Sequence, residues 1–453
     1  MLNQILADFA SFVWGLPLLF LLTGGGIYLT LLIFAKPLLY LKRAFKLLTN
    51  DNGNSGKEQI NSFQTLSTAL SSTIGMGNIA GVAVAISIGG PGAIFWMWVS
   101  GIIGMITKFF TCSLSVMYRA RDENGDLQGG VMYFIQEGMG KKFIPLAQFF
   151  AVAGLIGALP VFNVNQFTQA LNDIILQPSG IHVGLPSNFV IGISLAIITI
   201  LVTQGGLKRI GQTTQNLVPA MVILYFLCVG SIIVFNIEQL PDTIYLIFSE
   251  AFYPEFYKGE AFMGGTLGGL ILLGIRRGAF SNEAGIGTAT LAHGASNKEE
   301  PIEEGLIAML GPMIDTLVIC TLTAVAIIIT GAWQSDSLNG VSLTNQAFVS
   351  GLPQFGSFLL MLCISVFSIS SLFSYSYYGS KCMAYLFGSK KKQYYQYMYL
   401  ISIIVGCTST LDAMINLIDG FFALMAIPTM FATLFLAPKV VIKAKDYFAK
   451  ISS

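Results

Sequence analysis

Eleven apolar runs follow one another along this chain with little between them, and that succession leaves it few ways to fold. In hydrocarbon every backbone N–H and C=O must be paired within the protein, so a spanning run becomes a helix or part of a closed barrel. About 20 apolar residues in a helix cover roughly 30 Å of bilayer core. The runs predict spans at 10–35, 66–88, 92–118, 145–171, 189–205, 218–236, 263–290, 305–331, 356–386, 397–411 and 414–437.

Charge settles the class. Only 10% of the 453 residues are charged and 54% are hydrophobic, whereas a soluble domain carries about 25% charge. The expectation is a single all-α integral membrane domain in a lipid bilayer, with no nucleic-acid partner. The 48 glycines form no repeat, which in an apolar chain points to close helix packing and helix interruptions. Six cysteines (Cys112, Cys228, Cys320, Cys363, Cys382, Cys407) occur singly and read as buried small hydrophobes. Two histidines, His182 and His293, are too few and too far apart for a metal site. The first run, Phe9 to Ala35, lacks a basic leader and is too long for a signal-peptide core.

Basic residues give the orientation. Lys36, Lys42, Arg43, Lys46 and Lys57 follow the first run, and Arg119, Arg121, Lys141 and Lys142 follow the third. Lys208, Arg209, Lys298, Lys381, Lys390, Lys391, Lys392, Lys439, Lys443, Lys445 and Lys450 come later. With eleven spans, twenty of the 24 basic residues share one side, and only Lys258 faces them. The positive-inside rule then predicts an outside N-terminus and a cytoplasmic C-terminus in the plasma (inner) membrane.

Two spans are interrupted. Gly75, Gly77 and Gly81 surround Asn78 at mid-span, and Gly278 and Gly285 enclose Ser281, Asn282 and Glu283. Each is the first helix of a set of five spans, and because five is odd the second set enters from the opposite face. Interrupted helices at matching places in two halves point to a transporter's binding site. The expected division is an extra helix and loop over 1–60, a first repeat over 61–240, an inverted repeat over 260–440 and a tail over 441–453. Half-helix N-termini suit a carboxylate, and unwound carbonyls suit a hard cation or an ammonium.

Other features carry plainer readings. GMGNIA at 75–80 matches a dinucleotide fingerprint in letters only, since no strand precedes it. Arg276, Arg277 and Glu283 can neutralise one another and hold the unwound segment. Lys108 is expected to snorkel or pair with an acid, and Asp315, Asp412 and Asp419 to lie near wet helix ends. Ser365, Ser368, Ser370, Ser371, Ser374 and Ser376 can bond their own helix, or offer oxygens to the break at 75–78.

These segments resemble the alanine or glycine:cation symporter family, the sodium:alanine symporters. The similarity lies in GMGNIAG (75–81), GGPGAIFWMW (89–98), GGVMYFI (129–135), RGAFSNEAGIGTA (277–289) and SYYGSK (376–381). It implies the LeuT-type fold, one helix before a five-plus-five inverted repeat, and Na⁺-coupled uptake of a small neutral amino acid, alanine or glycine. It places the substrate at Gly75, Met76, Gly77, Asn78, Gln166, Phe280, Ser281, Asn282, Ser371 and Tyr375, with 280–282 in the unwound part. It places Na⁺, the one expected cofactor, among the carbonyls of Ser71, Ile74 and Phe367 and the hydroxyls of Ser370 and Ser371. The chain departs from the family at Met76 (threonine there), Thr168 (asparagine), Tyr375 (tryptophan) and Ser380 (glutamate). Proton coupling through Glu283 is the nearest alternative; a channel or an intramembrane enzyme finds no matching filter or catalytic motif.

Overall fold

The computed structural model describes residues 2–49, 59–123, 125–260, 264–335 and 337–452, so Lys57 lies outside the described residues. The helices run in chain order as α1 (Leu2–Val13), α2 (Leu16–Leu32), α3 (Leu41–Thr49), α4 (Ser62–Thr73), α5 (Gly77–Gly89) and α6 (Ala93–Met117). A short antiparallel hairpin, Ala120–Arg121 with Leu127–Gln128, leads to α7 (Val131–Met139). Then come α8 (Lys141–Leu176), α9 (Leu185–Thr203), α10 (Gly206–Phe235), α11 (Leu240–Phe252), α12 (Gly265–Asn282) and α13 (Thr288–His293). The chain ends with α14 (Pro301–Ile329), α15 (Gly340–Gly351), α16 (Gly356–Phe387), α17 (Lys392–Thr408) and α18 (Leu411–Ser452).

Each of the eleven predicted runs falls mostly on helix among the described residues. Among the described residues, seven helices are long and apolar enough to cross a membrane singly, and two bent pairs, α1–α2 and α4–α5, do so together. The remaining two runs fall on α12–α13, which carries Arg276 and Arg277, and on α17, of 17 residues. The first run is not the single helix expected over 10–35. It bends by 49° where Gly15 and Pro17 interrupt it, because proline cannot donate to the preceding turn.

Local chemistry sets the element that matters most. Asn61 caps α4 by accepting from Gln64 N at 2.8 Å, and Gln64 Oε1 accepts from Asn61 N at 3.3 Å, a reciprocal capping box. The ten residues of α4 from Ser62 to Thr73 other than Phe63 and Gln64 are buried, seven of them serine or threonine. That polar interior face would be wasted on lipid, so it packs inward against α10, α13 and α16. All six cysteines are buried and free.

Candidate functional site

Both interruptions are real, and residues flanking them line one cavity. Helix α4 stops at Thr73, Ile74 turns extended (ψ 92°), and α5 restarts at Gly77 with a wide turn as far as Gly81, a bend of 50°. Asn78 stabilises the break from inside: its Oδ1 accepts from Gly75 N at 2.9 Å. The second break lies further along than expected. Phe280, Ser281 and Asn282 form the last turn of α12, and the unwound segment is 283–287. Glu283 takes a left-handed φ of 54°, followed by Gly285 (83°) and Gly287 (103°). A non-glycine residue in that region is uncommon and needs outside support. Glu283 has it, accepting from the Tyr375 hydroxyl on α16 and the Thr288 hydroxyl on α13.

The cavity between the breaks measures about 20 Å³ and is lined by Ser72, Thr73, Gly77, Asn163, Phe280, Ser281 and Tyr375, among others. That is space for about one water, so an amino acid requires Tyr375 or the phenylalanine roof to move. Phe280 meets Phe162 and Phe422, each with ring centroids 5.6 Å apart, and closes one side. Of the expected substrate residues, the structure gathers Gly77, Phe280, Ser281 and Tyr375 here. Ser371 stands beside Gly75, where an added Cβ would come 2.8 Å from its Oγ. Gln166 does not reach the cavity; its Oε1 accepts from Val341 N at 3.3 Å at the start of α15. Met76, Asn78 and Asn282 are buried behind the lining.

Asn78 instead binds Asp315, which is buried in the core and not near a wet helix end as expected. Asp315 is fully buried and accepts from Asn78 Nδ2 (2.7 Å), Ser281 Oγ (2.9 Å) and Thr316 Oγ1 (2.8 Å). One carboxylate on α14 therefore ties the first break to the last turn before the second. Lys108 on α6 does not snorkel: it is 2% exposed and interacts electrostatically with Glu283 and Asp315. A charge in mid-span costs about 2.5–3.5 kcal/mol on the insertion scale, so Asp315 in the middle of a predicted span was the signal that could have marked it.

The expected sodium ligands lie along facing turns of α4 and α16, all buried. Phe367 O accepts from both Ser370 Oγ (3.0 Å) and Ser371 Oγ (2.9 Å). Ser370 Oγ also faces Met221 Sδ on α10 at 3.6 Å, so Ser371 is the hydroxyl nearer the break. Ser71 Oγ pairs with Ser374 Oγ, and both donate to or lie against Thr68 O, at 3.0 and 2.8 Å.

Charged contacts close both ends. On one side Arg276 and Arg277 of α12 meet Asp419 of α18 at 2.5 and 3.8 Å, and not Glu283 as expected; Asp419 is fully buried, not wet. Arg276 lies over the Trp14 ring at 5.4 Å, and Trp14 Nε1 donates to Asp419 O at 2.9 Å. On the other side Arg119 donates to the carbonyls of Gly294 (2.9 Å), Ser296 (2.7 Å) and Lys298 (2.7 Å), just past α13. That loop pairs with Ile60 ahead of α4: Ile60 N donates to Ala295 O (3.1 Å) and Asn297 N to Ile60 O (2.9 Å). Gly129 and Gly294 pack so closely that a Cβ on Gly294 would fall 2.7 Å from the Gly129 Cα.

The whole chain, residues 1–453, matches the family described as "Sodium:alanine symporter family". The chain belongs to that family. A Haemophilus influenzae protein named "Uncharacterized transporter" is 39% identical over 99% of this chain and 97% of its own length. The "Sodium/alanine symporter AgcS" of Methanococcus maripaludis is 37% identical over 96% of this chain and 95% of its own. Among solved structures, MhsT in complex with L-phenylalanine superposes with a TM-score of 0.61 at 13% identity, over 85% of this chain and 98% of that one. This member of the sodium:alanine symporter family is thus a multi-pass membrane transporter with the LeuT-type fold.

Proposed function

We propose that this family member imports a small neutral amino acid, alanine or glycine, coupled to Na⁺ by alternating access. The observation that carries the reading is the convergence of residues flanking two helix breaks on one small cavity, with the hydroxyls of Ser71, Ser374 and Ser371 beside the first. A zwitterion finds the backbone N–H groups of Met76 and Gly77 for its carboxylate, those of Gly75 and Asn78 being bonded within the break, and carbonyl or hydroxyl oxygens for its ammonium. Na⁺ is held by Ser71, Ile74, Phe367, Ser370 and Ser371, oxygen ligands of the kind a hard cation takes. The N-terminus is outside and the tail after residue 440 cytoplasmic, with repeats over 61–240 and 260–440. Inward movement of one charge across 100 mV gains about 2.3 kcal/mol, enough to concentrate a neutral substrate roughly fiftyfold.

The deciding experiment is alanine uptake into proteoliposomes under an inward Na⁺ gradient, against K⁺ and against a pH gradient, with other neutral amino acids as competitors. Uptake only with Na⁺ supports the reading; uptake equal in K⁺ removes it. In the same assay the Ser370→Ala/Ser371→Ala protein should need about tenfold more Na⁺ for half-maximal uptake, one tenfold step per ~1.4 kcal/mol of lost ligation. Unchanged Na⁺ activation would move the cation elsewhere.

Proton coupling through Glu283 draws on one observation, its full burial between Tyr375 and Thr288. A Glu283→Gln side chain keeps one acceptor oxygen for one hydroxyl and can donate its Nε2 to the oxygen of the other. Sodium coupling therefore predicts that this variant keeps its Na⁺ dependence and gains no pH dependence. Loss of gradient-driven uptake with exchange intact would favour the proton instead.

A further inference from the structure

Between α2 and α4 the chain makes a sharp turn and then runs along the surface of the protein. Phe34 and Ala35 take left-handed φ values of 52° and 50°, a conformation that bulky residues adopt rarely and only with support. The support is local: Phe34 N donates to Leu31 O (3.1 Å), Ala35 N to Thr30 O (2.9 Å) and Lys36 N to Ile33 O (3.1 Å). The turn leaves Phe34 directed away from the protein, 92% exposed. A 3₁₀ turn over Lys36–Tyr40 then leads straight into α3.

The two sides of this segment differ. Ala44 and Leu47 are buried where α3 packs on α4 and on the start of α14. Arg43 is engaged on that inner side: its Nε donates to the Tyr447 hydroxyl of α18 at 2.8 Å, and its Nη2 lies 3.9 Å from Glu303 Oε1 of α14. On the outer side Leu39 is 82% and Phe45 46% exposed. Lys36, Lys42 and Lys46 are exposed among them, Lys36 lying over the Phe448 ring at 5.2 Å. Helical spacing (i, i+3, i+4) sets Lys42, Phe45 and Lys46 on one outward arc of α3. Residues 34–46 hold four basic side chains and no acidic one.

We propose that residues 34–46 form a docking surface for acidic phospholipid. Lys36, Lys42 and Lys46 meet the anionic headgroups, while Phe34, Leu39 and Phe45 enter the boundary of the acyl chains. A short helix with outward apolar side chains beside lysines lies in the plane of a membrane interface. A basic segment directly after a spanning helix is drawn to anionic lipid there. Charge complementarity selects the partner, since a segment with lysines and no acid gains from an acidic headgroup what a zwitterionic one does not supply. The apolar side chains between the lysines select a lipid over a soluble anion.

The test attaches a polarity-sensitive fluorophore to the full-length Leu39→Cys protein, the six native cysteines being buried. In mixed bilayers the label is quenched by phosphatidylglycerol or by phosphatidylcholine carrying brominated acyl chains, and the two quenching curves give the relative occupancy of the surface. Phosphatidylglycerol should be preferred about fivefold, the factor for one lysine at an acidic surface. Adding Lys42→Gln/Lys46→Gln should bring the ratio to about one. Equal quenching by the two lipids before that change, a ratio that the change leaves as it was, or no quenching by either lipid overturns the proposal. Should the protein with both glutamines not fold, high salt on the labelled Leu39→Cys protein decides the same question. Screening should lower the ratio, and a ratio that salt leaves unchanged refutes the surface. Both leaflets carry both lipids, so these outcomes do not depend on the substrate, the coupling ion or the orientation proposed above.

Discussion

Replacing Asp315 with alanine is expected to abolish uptake and to destabilise the protein more than any other single change at the site. The substitution removes the shared acceptor of Asn78, Ser281 and Thr316, leaving Asn78 only its longer contact to the backbone carbonyl at 315 and its contacts to Ser281 and Cys320, and leaves Lys108 with one carboxylate in place of two. An unpaired buried donor costs about 1–3 kcal/mol, and breaking a buried charge arrangement costs about 3–5 kcal/mol. Asp315→Asn keeps an acceptor for the hydroxyls and should fold better while remaining slow. Thermal unfolding of detergent-purified protein measures the first effect and proteoliposome uptake the second. Wild-type uptake by Asp315→Ala would show that the two breaks do not depend on a shared carboxylate.

Arg119→Ala is expected to loosen the opposite end. Three hydrogen bonds from a charged donor hold the loop at 294–298, each worth about 1.5–3 kcal/mol. Without them the loop retains its two backbone bonds to Ile60 and the Ser296–Glu304 contact at 2.8 Å. Amide exchange at 294–298 should quicken by more than about a hundredfold, the factor that corresponds to ~2.8 kcal/mol. The protein should favour the state open on that side, with concentrative uptake lost before exchange. Exchange rates at 294–298 equal to wild type would place the hold on that side in other contacts.

The fold was legible because bilayer length and low charge each constrain the chain strongly, and the glycine clusters at 75–81 and 278–287 marked the interruptions. What sequence could not supply was which partner each polar group chose. Glu283 could not be expected to adopt a left-handed backbone, so the second break was set three residues early. Gln166 is a pocket residue by resemblance alone, and only the packing of α15 against the break shows its Oε1 engaged by Val341 N. Asp315 and Asp419 were readable as mid-span charges, but their partners Asn78 and Arg276 lie 237 and 143 residues away. The bend at Gly15–Pro17 was visible in the residues and obscured by the continuity of the apolar run.

Trp14 gives the molecule a built-in optical probe. Its indole sits beneath the Arg276 guanidinium and donates to the backbone of Asp419, so it shares the contact that joins α12 to α18. Of the other three tryptophans, Trp333 belongs to a separate apolar cluster, with Trp98 packed against it, and Trp96 packs on α12 at Gly274. A guanidinium over an indole quenches and shifts its emission. Separation of α12 from α18 should therefore brighten one fluorophore, and opening on that side can be followed in real time without attaching a label.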